Sequence, residues 1–224
     1  MHTAATLTPA TATPAPAPAH PGFDPDLWCA LPAPYAPAEY RIKAVTSAWE
    51  REAAYALRRS VFCGEQGIFT HDDRDAIDDQ AQLLVACSCV AGDCDEVVGT
   101  VRIHEASPGV WWGSRLAVHA AHRDSGRLGA TLIRLAVSWA HAQGAHAFWA
   151  HVQQQNIPLF EKLHWRLHEQ VLCHGHPHSL MQASLAHYPA CHAPEWGYLT
   201  LAHSGHARGH ARDQSAPARV RPAH

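Results

Sequence analysis

Between residues 37 and 201 the spacing of apolar positions changes several times, and each change marks an element. "YRIKAV" (Tyr40 to Val45) alternates with the two-residue period of a half-buried strand. Ser47 then stands at a helix N-cap position ahead of "WEREAAYALRRSVF", where Trp49, Ala53, Ala56, Leu57 and Val61 fall on one helical face. "GEQGIFTHDDRDAIDDQ" has no period, two glycines and five aspartates, and it reads as a long surface loop. "AQLLVACSCV" and "EVVGTVRIH" are strands joined by "AGDCD", a short Gly/Asp connection that predicts an antiparallel hairpin. "GVWWGSRLAV" adds a third strand after the "SPG" turn.

The stretch "RDSGRLGA" leads into "LIRLAVSWAHAQG", where Leu132, Leu135, Ala136 and Trp139 repeat at helical spacing and Gly144 ends the helix. "AHAFWAHV" is a strand, and "NIPLFEKLH" a short helix with Asn156 at its cap and Pro158 in its first turn. "WRLHEQVL" and "LMQASLA" supply two more strands. The order β-α-loop-β-β-β-α-β-α-β-β predicts an α/β fold (α+β, mixed sheet) of about seven strands with helices on both faces. An antiparallel meander hands over, through the glycine-loop helix, to a neighbouring strand.

Composition sets the limits of that unit. Residues 1–36 are rich in Ala, Thr and Pro and cannot offset the entropy of a packed core, so an extended tail is expected there, and a similar one over 202–224. The folded domain is then 37–201. Across all 224 residues the formal charge is −3 with basic residues scattered, which does not resemble a nucleic-acid binder. No apolar run approaches the ~20 residues of a membrane helix, and the N-terminus lacks a secretory pattern, so the expected compartment is the cytoplasm. The seven cysteines form no C-x-x-C pair and read as free thiols. Twenty histidines are scattered along the chain, including His174, His176 and His178 and then His203, His206 and His210, and they read as compositional drift rather than a metal site.

Several of these motifs together carry a family likeness. The strand order, "WGSRLAV" ahead of the glycine loop, the helix after it and "NIPLFEKLHW" resemble the GCN5-related N-acetyltransferases over about residues 40–187. "LRRSVFCGEQGIF" with its acidic loop resembles the VF-x-x-EQ opening of a bacterial branch. The resemblance implies an acetyl-CoA-dependent N-acetyltransferase, an acyltransferase moving groups other than aminoacyl groups, acting on a small amine by direct attack in a ternary complex. It implies no metal, no nucleic acid and no membrane, and leaves a homodimer open. The alternative is a non-catalytic module of the same fold that binds an acyl-CoA or a metabolite.

The family's loop R-x-x-G-x-G/A presents helix N-terminal amides to the cofactor's diphosphate, which unpaired N–H groups and the helix dipole favour. Arg123 and Gly126 match its first half, and Arg127, Leu128, Gly129 and Ala130 cover the second, with one residue too many between the glycines. The resemblance assigns the pantetheine arm to the backbone of Leu116, Ala117 and Val118, with a Val118 amide facing the oxyanion, and adds Asn156 and Phe160 to the cofactor side. Phe160 stands where the family often has a thiolate-protonating tyrosine, so that acid is missing.

For the base, Glu65, Glu105, His104 and His151 are candidates, with Glu65 foremost. The aspartates 72, 73, 75, 78 and 79 read first as a solvated loop and second as a negative rim for a cationic amine. Trp111 and Trp112 point to opposite faces of one strand, one toward the core and the other toward the acceptor cleft.

Overall fold

A computed structural model describes residues 37–125 and 127–202. Both expected tails lie outside the described residues, apart from Ala202, and so do Cys29, Gly126 and the histidines after 202. Eight strands form one sheet: β1 (Glu39–Ala44), β2 (Gln82–Val90), β3 (Asp93–Ser107), β4 (Val110–Val118), β5 (Ala147–Gln153), β6 (Trp165–Cys173), β7 (His176–Ala183) and β8 (Tyr198–Leu201). Their spatial order is β6-β7-β5-β4-β3-β2-β1-β8. All neighbours run antiparallel except β4 and β5, the one parallel pair, whose connection is the glycine loop and its helix.

The helices are α1 (Ala48–Arg59), α2 (Leu128–Ala142) and α3 (Ile157–Lys162). Ser47 and Glu50 close a capping box on α1, satisfying two otherwise unpaired donors. The helix then widens into a π-helical turn over Ser60–Glu65, which sequence periodicity did not reveal. α1 and the π-helical turn after it pack on one face of the sheet, through Ala54 and Leu57 and through Val61, against Val85, Val97 and Ala117. α2 packs on the other, where Leu132, Leu135 and Ala136 meet Leu84, Ile103 and Phe148.

Three expectations need correction. Trp49 is 45% exposed, and the buried face of α1 instead carries Glu50, Ala54, Tyr55, Leu57 and Arg58. Polar residues hold the inward positions because each finds an ionic partner there: Glu50 binds Lys43 at 2.7 Å and Arg58 binds two aspartates. Asn156 provides no side-chain cap to α3. The eighth strand, β8, is too short to show a period and exists by pairing with β1, Glu39 opposite Leu201.

Candidate active site

The parallel pair β4–β5 is joined only over Val110–Gly113 and Ala147–Ala150. Beyond Gly113 no residue of β4 pairs with β5, while β5 continues along β7 as far as Gln153 opposite His178. On its other side β4 carries a bulge: Arg115 and Leu116 oppose the single Val101, and Arg115 adopts φ 54°. A non-glycine residue in that left-handed region costs ~1 kcal/mol. Ion pairs offset it, since Arg115 Nε lies 2.9 Å from Asp73 Oδ2 and Nη2 lies 3.1 Å from Asp75 Oδ2. A bulge at such a place bends its strand and strengthens the twist, consistent with the parting of β4 from β5.

A groove of about 1330 Å³ runs along the end of β4 and the N-terminus of α2. Leu116, Ala117, Val118, Arg123, Arg127, Gly129, Ala130 and Asn156 all line it, so the structure brings together most of the residues singled out for the cofactor. Arg127 is the N-cap of α2 in left-handed conformation (φ 53°, ψ 39°), which is how the extra loop residue is absorbed before the helix begins. No side chain caps this end, and the first intrahelical bond in the turn is Thr131 N–H to Arg127 O at 3.0 Å. The amides of Leu128, Gly129 and Ala130 therefore stand at the positive end of a 15-residue helix. A Cβ on Gly129 would meet only Val118 Cγ2, at 3.9 Å, so the protein itself leaves the space above this glycine open. Arg123, Arg127, Arg134 and Lys162 bring positive charge to the same groove. These residues fit a diphosphate.

Two singled-out residues face elsewhere. Leu128 is buried in the α2 core and does not line the groove. Phe160 is buried edge-on against Trp165, ring centres 4.9 Å apart, and borders the second cavity rather than the groove.

Glu65 lines the groove, where its Oε2 accepts from Arg123 Nη2 at 2.6 Å. That hydrogen bond, and behind it the guanidinium charge, holds the Glu65 carboxyl below the usual carboxylate range. Arg123 also donates from Nε to Val118 O, tying the loop to the end of β4. Glu105, at the far end of β3, accepts from Gly109 N–H at 2.7 Å and so braces the β3–β4 turn.

A second cavity of about 570 Å³ meets the first at Gln66, Ile68, Leu116, Gln153 and Asn156. Phe62, Phe69, Trp112, His104, His151 and His178 contribute to its walls. Trp111, 5% exposed, faces the core as its opposite direction on β4 requires. Trp112 and His151 lie with ring centres 5.1 Å apart. His151 follows Ala150, the last residue that β5 pairs with β4, and so stands where the strands part. His151 keeps an exposed face, and partial desolvation in the cavity wall, with the neighbouring His178 after it, pushes its pKa down. Burial and Arg102 do the same for His104 against an opposing pull from Asp75, and His104 Nδ1 is buried without a hydrogen-bond partner.

The acidic loop is a clamp rather than a solvated rim. Asp73 is 1% exposed, and Asp73 and Asp78 hold Arg58 at 2.8 and 2.6 Å. Asp75 and Asp78 hold Arg102 at 2.5 and 2.8 Å. Three arginines answer three aspartates, and the loop is thereby fixed as a wall of the second cavity. Asp72 and Asp79 are exposed, as expected of such a loop. The signal was present in the sequence: an arginine inside a strand as apolar as "VRIH" requires a buried acid.

Arg134 and Lys162 were missed in the groove, although Arg134 lies two helical turns after Arg127 and so on the same side of α2. Phe69, His174 and His178 were missed in the cavity, because the loop and β7 approach it only through the tertiary fold. Glu50, Cys87 and Cys94 place three ligand atoms within 4.8 Å of one another, but Glu50 already serves Lys43, Thr46 and Ser47. No helix among the described residues is long and apolar enough to cross a membrane.

Comparison with known proteins agrees with this geometry. "Putative acetyltransferase BSU40680" of Bacillus subtilis (strain 168) is 28% identical over 149 residues, covering 62% of this chain and 93% of its own. The crystal structure of an N-acetyltransferase from Lactobacillus plantarum, itself assigned as "putative", superposes with TM-score 0.57 at 26% identity, covering 65% of this chain and 98% of that one. The CoA-dependent acyl-homoserine lactone synthase BjaI, solved with SAM and isopentyl-CoA, shares the fold at TM-score 0.52 and 18% identity, over 64% and 82% of the two chains. Residues 44–165 match the profile of the acetyltransferase (GNAT) family. The chain belongs to that family, whose reaction is acyl transfer from an acyl-CoA.

Proposed function

We propose that the chain is an N-acetyltransferase that moves the acetyl group of acetyl-CoA to a small amine within a ternary complex, and that residues 37–201 carry the activity. One observation supports this above the others: a cationic groove ending at an uncapped helix meets a second cavity, partly aromatic in its walls, at the parting of β4 and β5. The groove suits the diphosphate and pantetheine, the cavity suits an acceptor, and the shared residues Leu116, Gln153 and Asn156 mark the point of transfer. Holding two reactants there converts a bimolecular step into an effectively unimolecular one.

The base in this reading is His151. Its lowered pKa favours the neutral imidazole, and its place next to the strand parting supports a role beside the reacting nitrogen. Glu65 is committed to Arg123 and, together with it, braces the diphosphate loop. Phe160 offers no proton to the departing thiolate, which takes one from solvent.

The missing hydroxyl at Phe160 favours a second reading, a module that binds acyl-CoA without turnover. Thiol release with a broad amine panel, measured beside calorimetric titration of acetyl-CoA, separates the two. Binding with release supports the transferase. Binding without release to any amine supports the module, and absence of binding overturns both.

A further inference from the structure

The cavity that receives the acceptor has walls of a specific chemistry. Asp75 is its sole carboxylate among the described lining residues, and both oxygens are occupied. Oδ1 accepts from Arg102 Nη1 at 2.5 Å and from Ile77 N–H at 3.0 Å. Oδ2 accepts from Arg102 Nη2 at 3.2 Å and from Arg115 Nη2 at 3.1 Å. An ammonium entering here would shed part of its hydration and find two guanidinium groups but no carboxylate free of an ion pair.

The remaining walls mix aromatic rings, Phe62, Phe69 and Trp112 among them, with the uncharged amides Gln66 and Gln153 and the imidazoles of His104, His151 and His178. Arg115 lies over the Phe69 ring at 4.5 Å, and Trp112 and His151 form a tilted aromatic pair with centres 5.1 Å apart. Such faces bind a planar ring by stacking and edge contacts.

We propose that the acceptor is a weakly basic aromatic amine of the arylamine class, uncharged when it binds, and that the cavity rejects polycationic amines. This rests on the transferase reading above and names its substrate class. In the transfer, the arylamine nitrogen forms a bond to the thioester carbonyl carbon. The carbon–sulfur bond breaks with its electron pair leaving on sulfur. One N–H proton passes to His151 and through solvent to the thiolate, so that amine and thioester become amide and thiol with no other reactant.

The test uses the full chain with acetyl-CoA and three acceptors: p-toluidine, benzylamine and spermidine. At pH 7 an alkylamine of pKa ~9–10 is only about one to ten parts in a thousand uncharged, while an arylamine is almost wholly so. The kcat/KM for p-toluidine is expected to exceed that for spermidine by at least about a hundredfold, and its lead over benzylamine to shrink about tenfold between pH 7 and pH 8. Trp112→Ala is expected to weaken p-toluidine binding about tenfold while acetyl-CoA affinity and melting temperature stay close to wild type.

Preference for spermidine, or a lead over benzylamine unchanged by pH, overturns the assignment and leaves the transferase standing. To separate the assignment from turnover, p-toluidine is also titrated into the protein saturated with CoA. Failure to bind there overturns the assignment whether or not any amine is acetylated, whereas failure of acetyl-CoA itself to bind overturns the transferase reading.

Discussion

Gly113 on β4 and Ala150 on β5 are the last residues that the two parallel strands pair, and the cationic groove and the second cavity share the residues just beyond them, Leu116 and Gln153. A Cβ on Gly113 would come within 3.0 Å of the Phe148 ring, so this glycine also sets how closely the α2-side core approaches the point of parting. Gly113→Ala therefore forces the ring aside. The expected cost is about 1–3 kcal/mol in urea unfolding, with a fall in acyl transfer larger than any loss of acyl-CoA affinity.

Gly129 presents the opposite case. Nothing in the protein crowds it, and its backbone is ordinary helix, so Gly129→Leu leaves the melting temperature unchanged or higher. It does obstruct a ligand approaching the helix amides. Calorimetry is expected to show acetyl-CoA binding weakened about tenfold to a hundredfold, as for the loss of one or two charge-assisted hydrogen bonds. Unchanged affinity would remove the diphosphate from this helix end.

Sequence alone put Glu65 ahead of His151 among the base candidates, whereas the proposed mechanism gives the base role to His151 and leaves Glu65 paired with Arg123. His151→Gln is expected to lower kcat by about 10²- to 10⁴-fold, the usual contribution of a general base. Because the imidazole pKa is lowered, its neutral form prevails above a midpoint below 6.5, so wild-type kcat/KM for an uncharged amine rises with pH through that midpoint and then levels. The variant loses this limb. Glu65→Gln keeps kcat within about threefold and acts mainly on KM for acetyl-CoA, since an exposed ion pair with Arg123 contributes only about 0–1 kcal/mol. The reverse pattern in the two variants would restore Glu65 as the base.

Acid should release the loop that walls the cavity. Burial pushes the Asp78 carboxyl up, but hydrogen bonds from Arg58 and the Asp75 amide, with the charges of Arg58 and Arg102, outweigh it and bring the pKa down from 3.8 to about 2. The folded value lies below the unfolded one, so the associated stability, about 2 kcal/mol, is present above pH ~4 and lost as pH falls toward 2. Asp78→Asn leaves Arg58 and Arg102 each short of a partner. It should cost about 3–5 kcal/mol at pH 7 and flatten the acid limb of stability measured by urea unfolding.

Much of the frame was legible because it depends on local pattern. The Ser47 cap, the antiparallel hairpin of β2 and β3 and the helical spacing from Leu132 to Trp139 each report a nearby constraint and stand as read, although the hairpin turn is only Ala91–Gly92 and β3 begins at Asp93, inside the stretch read as the connection. What the pattern concealed was set by distant partners. Arg58 was invisible as an inward residue of α1 because its burial depends on Asp73 and Asp78, 15 and 20 residues away. The same limit applies to the site. The glycine loop and the end of β4 are contiguous in sequence, whereas the cavity wall assembles Phe69, His104, His151 and His178 from four separate elements.

The central claim is that the amides of Leu128, Gly129 and Ala130 hold a diphosphate while the arm of the same molecule lies between β4 and β5. A crystal structure of the complex with acetyl-CoA tests it directly. The account predicts diphosphate oxygens within hydrogen-bond distance of those amides and the thioester beside Leu116, Gln153 and His151. Acetyl-CoA bound elsewhere, or seated in the groove with its thioester turned away from the cavity holding His151 and Trp112, would contradict it.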